Sequence, residues 1–300
     1  MKQQTLSAEY RFEGRGLHTG KYAHLTLKPA PVGYGIRFVR TDAGVEVPAL
    51  ASHITRTDRS TTLSAGDVSI ITVEHLMSAL TGLGVDNACV EIDNEEVPIL
   101  DGSAERFVRA IAPDGLQAQD AERIWLEFDG PFEVCDERTG SRVRVEPADT
   151  MSFEATSDFN SRILGIQTAH WEGNSDYVAQ IAPCRTFVFM HELEFLAARG
   201  LVKGGDVDNA IVIVEQPVSP ERIENMCRLF GQPYLKVTPQ GYLSNIKLHF
   251  PDECGRHKLL DLIGDMRLMG GFPKARISAF KPGHTINSLL SRAALNHIKK

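Results

Sequence analysis

The chain has 300 residues, 42% hydrophobic and 24% charged, with a formal net charge of −7. That size suggests one large domain or two ordinary ones, of soluble globular composition. The acidic balance excludes the broad basic face of a nucleic-acid binder, so an anionic ligand must be met by a local basic cluster.

The N-terminus, Met1 to Glu9, lacks the apolar core of a signal peptide. The longest aliphatic run, Ala210 to Val214, is far too short to span a bilayer. Cys89, Cys135, Cys184, Cys227 and Cys254 are scattered and form no CxxC pair, against a disulfide framework or a Cys-type zinc finger. These features predict a cytoplasmic protein with no transmembrane segment, no nucleic-acid partner and no obligate protein partner. Peripheral contact with a membrane surface stays open.

In chain order, His24 to Lys28 reads as a strand, followed by the turn-like Pro29 to Gly33 and a strand from Gly35 to Arg40. Thr72 is expected to cap a helix that runs to about Thr81 and ends at Gly82-Leu83-Gly84. Ala88 to Ile92 follows as a strand, Asp93-Asn94 as a turn and Ser103 to Ala112 as a helix. The polar, turn-rich stretch from Ala112 to Asp120 marks a domain boundary. Ile124 to Phe128 opens a second run of strands, continued by Arg142 to Val145. Glu192 to Arg199 reads as a helix stopped by Gly200, and Pro220 to Phe230 as another, with Ser219 at its N-cap and Pro220 in the first helical position. A helix beginning at His257 ends at Gly270-Gly271 and leads into the strand Ala275 to Phe280.

The halves echo each other, since His75 also begins a helix that ends at glycines and leads into a strand. The predicted class is α+β: two similar two-layer sandwich domains from an internal duplication, residues 1–118 and 122–300, with the active site in the cleft between them.

Within His257-Lys258-Leu259-Leu260-Asp261-Leu262-Ile263-Gly264-Asp265, positions 257, 261 and 265 share one helix face. An imidazole one turn before a carboxylate is a pair of zinc ligands, although roughly one His-x-x-x-acid spacing should arise by accident in such a chain. The plain alternative is a surface His with a helical salt-bridge partner. Two acids and a His on an otherwise apolar helix need a cation or a polar cleft. Upstream, Glu74-His75 offers a third ligand, His75, and a spare carboxylate, Glu74, to take a proton from water acidified by the metal. The plain alternative there is a first-turn Glu complementing the helix dipole. Lys281-Pro282-Gly283-His284 sets a His on a turn after a strand, where Asp265 could hold it protonated as an acid. Other patterns fail. Gly14 to Gly20 lacks the third glycine of a dinucleotide loop, His191-Glu192 lacks the second His of HExxH, and no GxSxG occurs.

Taken together, Gly16-Leu17-His18-Thr19-Gly20, Thr72-Val73-Glu74-His75-Leu76, Gly82-Leu83-Gly84-Val85-Asp86-Asn87, Asp101-Gly102-Ser103-Ala104, Arg185-Thr186-Phe187, Gly204-Gly205, the 257–265 stretch and Gly283-His284 occur in this order. The chain closely resembles the UDP-3-O-acyl-N-acetylglucosamine deacetylase family, zinc enzymes of lipid A synthesis in Gram-negative bacteria, from about Leu6 to His297. The resemblance implies zinc held by His75, His257 and Asp261, with iron(II) a competitor for such a set. It implies Glu74 as general base, and His284, oriented by Asp265, as general acid. Thr186 and Lys258 match positions near the oxyanion, and Phe187 matches a residue that contacts the sugar. An insert at about 186–214 matches an apolar passage for the acyl chain, with Met190, Leu193, Leu196 and Val202 as candidate lining and Gly205 as a further substrate-binding candidate. Lys258 and Lys281 match best as diphosphate partners. Some members carry a fused dehydratase domain, for which 300 residues leave no room. The rivals are a metal-dependent amidohydrolase of another acylated sugar or a peptide, and a noncatalytic protein with a structural metal. A structural role beside a glycine turn is the expectation for His18.

Overall fold

The computed structural model describes residues 1–173, 175–198, 203–205 and 208–299, without the side chains of Ala197 and Ala198. The first half contains β1 (Lys2–Leu6), β2 (Tyr10–Arg15), β3 (Tyr22–Pro29), β4 (Ile36–Arg40) and β5 (Val45–Pro48). It continues with β6 (Ile54–Arg56), β7 (Thr62–Ala65), β8 (Val68–Ile71), α1 (Glu74–Leu83), β9 (Ala88–Ile92), α2 (Glu105–Ile111) and β10 (Leu116–Glu122). The second half contains β11 (Trp125–Leu126), β12 (Phe132–Asp136), β13 (Ser141–Pro147), β14 (Ser152–Asp158), β15 (Ile166–Glu172) and α3 (Tyr177–Gln180). Next come β16 (Phe187–Phe189), α4 (Met190–Ala198), β17 (Ile211–Ile213), α5 (Pro220–Leu229), α6 (Glu253–Arg267), β18 (Phe272–Pro273), β19 (Ala275–Phe280) and α7 (His284–Ala294).

Each half builds a five-stranded sheet, and the two sheets have one topology. The orders are β2-β3-β9-β4-β5 and β12-β13-β19-β14-β15. In both, the central strand runs parallel to its fourth-position neighbour, β9 with β4 and β19 with β14, while the other pairs are antiparallel. The duplicated α+β layout is therefore present strand for strand. Strand formation follows from period-two alternation. In β3, Ala23, Leu25 and Leu27 turn inward, and in β14 Phe153 and Ala155 do so.

The two helices that precede the central strands, α1 and α6, pack on each other. In α1, residues 74 through 81 are all buried, and α6 is buried on nearly every face. A helix enclosed on all sides belongs between layers rather than on a surface. One apolar core runs through both halves and includes Leu76, Leu80, Leu259 and Ile263. Burying each such side chain stabilises the fold by about 1.5–3 kcal/mol relative to exposure.

The halves differ in what interrupts them. The first carries the three-stranded β6-β7-β8 sheet, and the second carries α4, α5 and the parallel pair β16-β17, with its own apolar clusters around Met190, Val212, Leu243 and Ile213. This insert is tied to α6 by a buried ion pair: Arg185 Nε donates to Glu253 Oε1 at 2.8 Å, and Glu253 is 0% exposed.

Several expectations need correction. The stretch read as a polar boundary contains β10, which pairs antiparallel with β1. It pairs with no other strand and buries little, so its residues are polar without being a turn. Thr72 does not cap α1. Val73 holds the N-cap, and Thr72 has φ +61° with its hydroxyl donating to Glu96 Oε1. The strand expected from Ile124 to Phe128 shrinks to Trp125–Leu126. The helix around His257 starts earlier, at Glu253. At α5, Ser219 accepts from Arg222 N and Pro220 follows it, as expected. Arg199 and Gly200, at the end of the α4 prediction, lie outside the described residues.

Candidate active site

α1 supplies Glu74 and His75 from its first turn, and α6 supplies His257 and Asp261 from its middle. Because the helices are in contact, four polar side chains from two distant segments meet in an otherwise apolar layer, each at most 5% exposed. His75 Nε2 lies 3.6 Å and His257 Nε2 3.4 Å from the same atom, Asp261 Oδ1. Two donors bound at ~2.0–2.2 Å to a tetrahedral ion stand about 3.3–3.6 Å apart. Asp261 Oδ1 is buried with no hydrogen-bond partner, a costly state that a cation in the gap relieves.

The protonation states suit the same purpose. Burial pushes the His257 imidazole down to about 3, against the pull of Asp261, so the ring is neutral. Its Nδ1 donates to the Cys184 carbonyl at 3.0 Å, which leaves the Nε2 lone pair facing the gap. Burial alone would raise the Asp261 carboxyl, but the charge of Lys258 leads the neighbours that overcome it and hold it well below the usual carboxylate range. Lys258 Nζ donates to the other carboxylate oxygen, Asp261 Oδ2, at 2.6 Å.

Beside this cluster stand a carboxyl group, Glu74, and an imidazole, His284. Burial raises the Glu74 carboxyl above its ordinary range, and Thr61 N donates to its Oε2 at 3.0 Å. His284 Nε2 is 3.8 Å from Glu74 Oε1, and His284 Nδ1 donates to Asp265 Oδ2 at 3.0 Å. Burial lowers His284, but Glu74, Asp265 and Asp261 outweigh it and lift the imidazole to about 9. Asp265 is itself fixed, accepting from Thr61 Oγ1 at 2.6 Å and from Asn287 Nδ2 at 2.9 Å.

All of this opens into a cavity of about 580 Å³. Its polar end holds Glu74, His75, His257, Lys258, Asp261, His284, Thr72, Thr186 and His18. From there it extends between Phe187, Val188, Leu193, Leu196, Val212 and Phe230 of the insert. A cavity that carries a possible metal-binding group beside apolar walls fits a substrate with a polar reacting group and an apolar tail.

Comparison with known proteins agrees with this geometry. Residues 3–226 and 234–296 match the family described as UDP-3-O-acyl N-acetylglycosamine deacetylase. The chain belongs to this family. It is 38% identical over 295 residues, 98% of the chain and 87% of the relative, to the UDP-3-O-acyl-N-acetylglucosamine deacetylase of Anaeromyxobacter dehalogenans. It is 36% identical to the protein of that name from Trichormus variabilis, covering 98% of the chain and 99% of the relative. It is 40% identical, over its whole length, to the Bifunctional enzyme LpxC/FabZ of Porphyromonas gingivalis, of which it spans 65%.

The deacetylase-family expectations meet the structure residue by residue. His75, His257 and Asp261 converge as a possible metal-binding group. Glu74, Lys258, Thr186, Phe187, Leu193 and Gly205 line the cavity, and Asp265 stands behind His284. Met190 does not line it: the side chain is buried in the insert's own core with Val212 and Leu243. Lys281 is also absent from the wall, its Nζ pairing with Asp158 Oδ2 at 3.4 Å. Val202 lies outside the described residues. His284, expected on a turn, instead opens α7, with Gly283 as that helix's N-cap, and its side chain is 9% exposed. His18 is on the cavity wall, its Nε2 buried without a partner. Sequence reasoning missed Thr61, which touches Glu74, Asp265 and His284, and the walls Phe159 and Arg59. Thr61 sits in the run Ser60-Thr61-Thr62, which carries no spacing signal. Among the described residues no helix is long and apolar enough to cross a membrane.

Proposed function

We propose that this chain is a zinc-dependent deacetylase acting in the cytoplasm: it hydrolyses the N-acetyl group of UDP-3-O-(3-hydroxyacyl)-N-acetylglucosamine, releasing acetate in lipid A biosynthesis. The observation that carries this is the partnerless Asp261 Oδ1, shared at tetrahedral spacing by two imidazoles on the wall of a cavity with apolar lining. Family membership supports the substrate class. His75, His257 and Asp261 would hold the ion. A divalent ion there supplies Lewis acidity, polarising an acyl oxygen and acidifying water.

The chain's own groups do the rest. Glu74, with its carboxyl raised by burial, takes the proton of the attacking water. As the carbonyl carbon becomes tetrahedral, Lys258 and Thr186 offer donors to the developing oxyanion, each worth ~2–4 kcal/mol of barrier. His284, held protonated by its carboxylate neighbours, gives its proton to the departing amine as the C–N bond breaks. Acetate and the free amine result. The fatty acyl chain lies along Leu193, Leu196, Val212 and Phe230, and Phe187 contacts the sugar. Lys281, one residue beyond the β19 strand, meets the diphosphate by releasing Asp158.

Glu74→Ala tests the assignment. Acetate release should collapse while zinc stays near one per chain; retained activity removes Glu74 as the base. A different acylated sugar is the competing substrate, and equal turnover without the 3-O-acyl chain would favour it.

A further inference from the structure

Gly264 lies on the α6 face that presents His257 and Asp261, at spacings of seven and three residues. It is the point where α6 meets the start of α1. A Cβ at position 264 would stand 2.1 Å from the Glu74 carbonyl oxygen, 2.9 Å from the Glu74 carbonyl carbon and 3.1 Å from Ser78 N. All three are backbone atoms of α1, so no side-chain rotation relieves the clash. Ordinary contact begins at 3.4 Å, so a methyl group requires the helices to part by about 1.3 Å. Two donors of the cradle, His257 and Asp261, ride on α6, while His75 rides on α1, one residue from the clash.

We propose that Gly264 is a positioning residue for the metal site: α1 and α6 bring His75 within reach of an ion shared with His257 and Asp261 only because position 264 has no side chain. His75 Nε2 already stands 3.6 Å from Asp261 Oδ1. That is the upper edge of tetrahedral spacing, and bond lengths tolerate only ~0.2 Å. A parting of the helices takes His75 out of the set and leaves a two-donor site on α6.

This inference rests on the proposed metal site. The same helix provides a control. Gly255 of α6 is also crowded, with a Cβ 2.7 Å from Gln167 Cβ, but against a side chain of β15 rather than the backbone of α1. The experiment compares wild type, Gly264→Ala and Gly255→Ala, stripped by chelator and titrated with zinc against a competing chelator. Thermal unfolding and circular dichroism of the metal-free proteins run alongside. Gly264→Ala should fold but bind zinc at least about tenfold more weakly, while Gly255→Ala keeps wild-type affinity even if its melting temperature falls. A crystal structure of metal-free Gly264→Ala should show the His75–Asp261 separation lengthened. Wild-type affinity in Gly264→Ala, an equal loss in Gly255→Ala, or a Gly264→Ala protein that fails to fold even with zinc would each overturn the proposal. Wild-type protein that binds no divalent ion would overturn the metal reading instead.

Discussion

Asp265 gives the sharpest test of how the site holds charge. In metal-stripped protein, His284 is raised from an ordinary 6.5 to about 9 by Glu74, Asp265 and Asp261, against the opposing effect of burial. A raised imidazole stabilises the fold fully below pH 6.5, and the contribution is lost as pH climbs through about 9. The difference corresponds to roughly 3 kcal/mol of pH-dependent stability. Asp265 is the one carboxylate in direct hydrogen bond with the ring, at 3.0 Å. Asp265→Asn keeps the shape and removes the charge. His284 should then titrate well below about 9, and the pH-dependent stability should shrink in step. The assay is a ring-nitrogen NMR titration of metal-free protein, paired with urea unfolding at about pH 6 and about pH 9.5. In the loaded enzyme, the alkaline limb of acetate release should move to lower pH. A His284 that titrates near 9 in both proteins would refute the assignment of its charge to Asp265.

Three further outcomes follow from the geometry. Asp261→Ala removes a proposed ligand and should weaken zinc binding more than about 100-fold in chelator competition; unchanged stoichiometry after mild chelation would contradict it. Leu196→Trp narrows the apolar passage and should raise KM for the acylated substrate by about tenfold or more, with little change for a short-acyl analogue. Equal effects on both substrates would remove Leu196 from the acyl path. Arg185→Ala strands the fully buried Glu253 and should cost about 3–5 kcal/mol in urea unfolding. A loss under about 1 kcal/mol would show that water or the nearby His249 replaces the partner.

How much of this could be read in the amino acids depends on where each signal is stored. His257 and Asp261 were legible because a helix turns a four-residue spacing into a shared face, and Glu74-His75 because both sit at a helix start. The strands β9 and β19 were legible because short apolar runs follow glycine stops at the ends of α1 and α6. The failures share a cause. Thr72 looks like a cap, but tertiary contact with Glu96 claims its hydroxyl and holds it at positive φ. β10 looks like a loop because an edge strand paired on one side needs no apolar face. His284 looks loose because Gly283 precedes it, yet Asp265, nineteen residues upstream, fixes it. Thr61 was invisible because its partners lie 13, 204 and 223 residues away. Met190 and Leu193 are both buried in one helix, and only three dimensions separate filler from lining.

The group that orients the His257 ring is the carbonyl of residue 184, part of the main chain. Every amino acid carries that oxygen. Exchange of the Cys184 side chain therefore cannot delete the bond, and the tautomer is insulated from drift at that position. What can disturb it is a displacement of the peptide itself. The neighbouring Arg185, locked to Glu253 on the same helix as His257, ties that peptide and the ring to one rigid body.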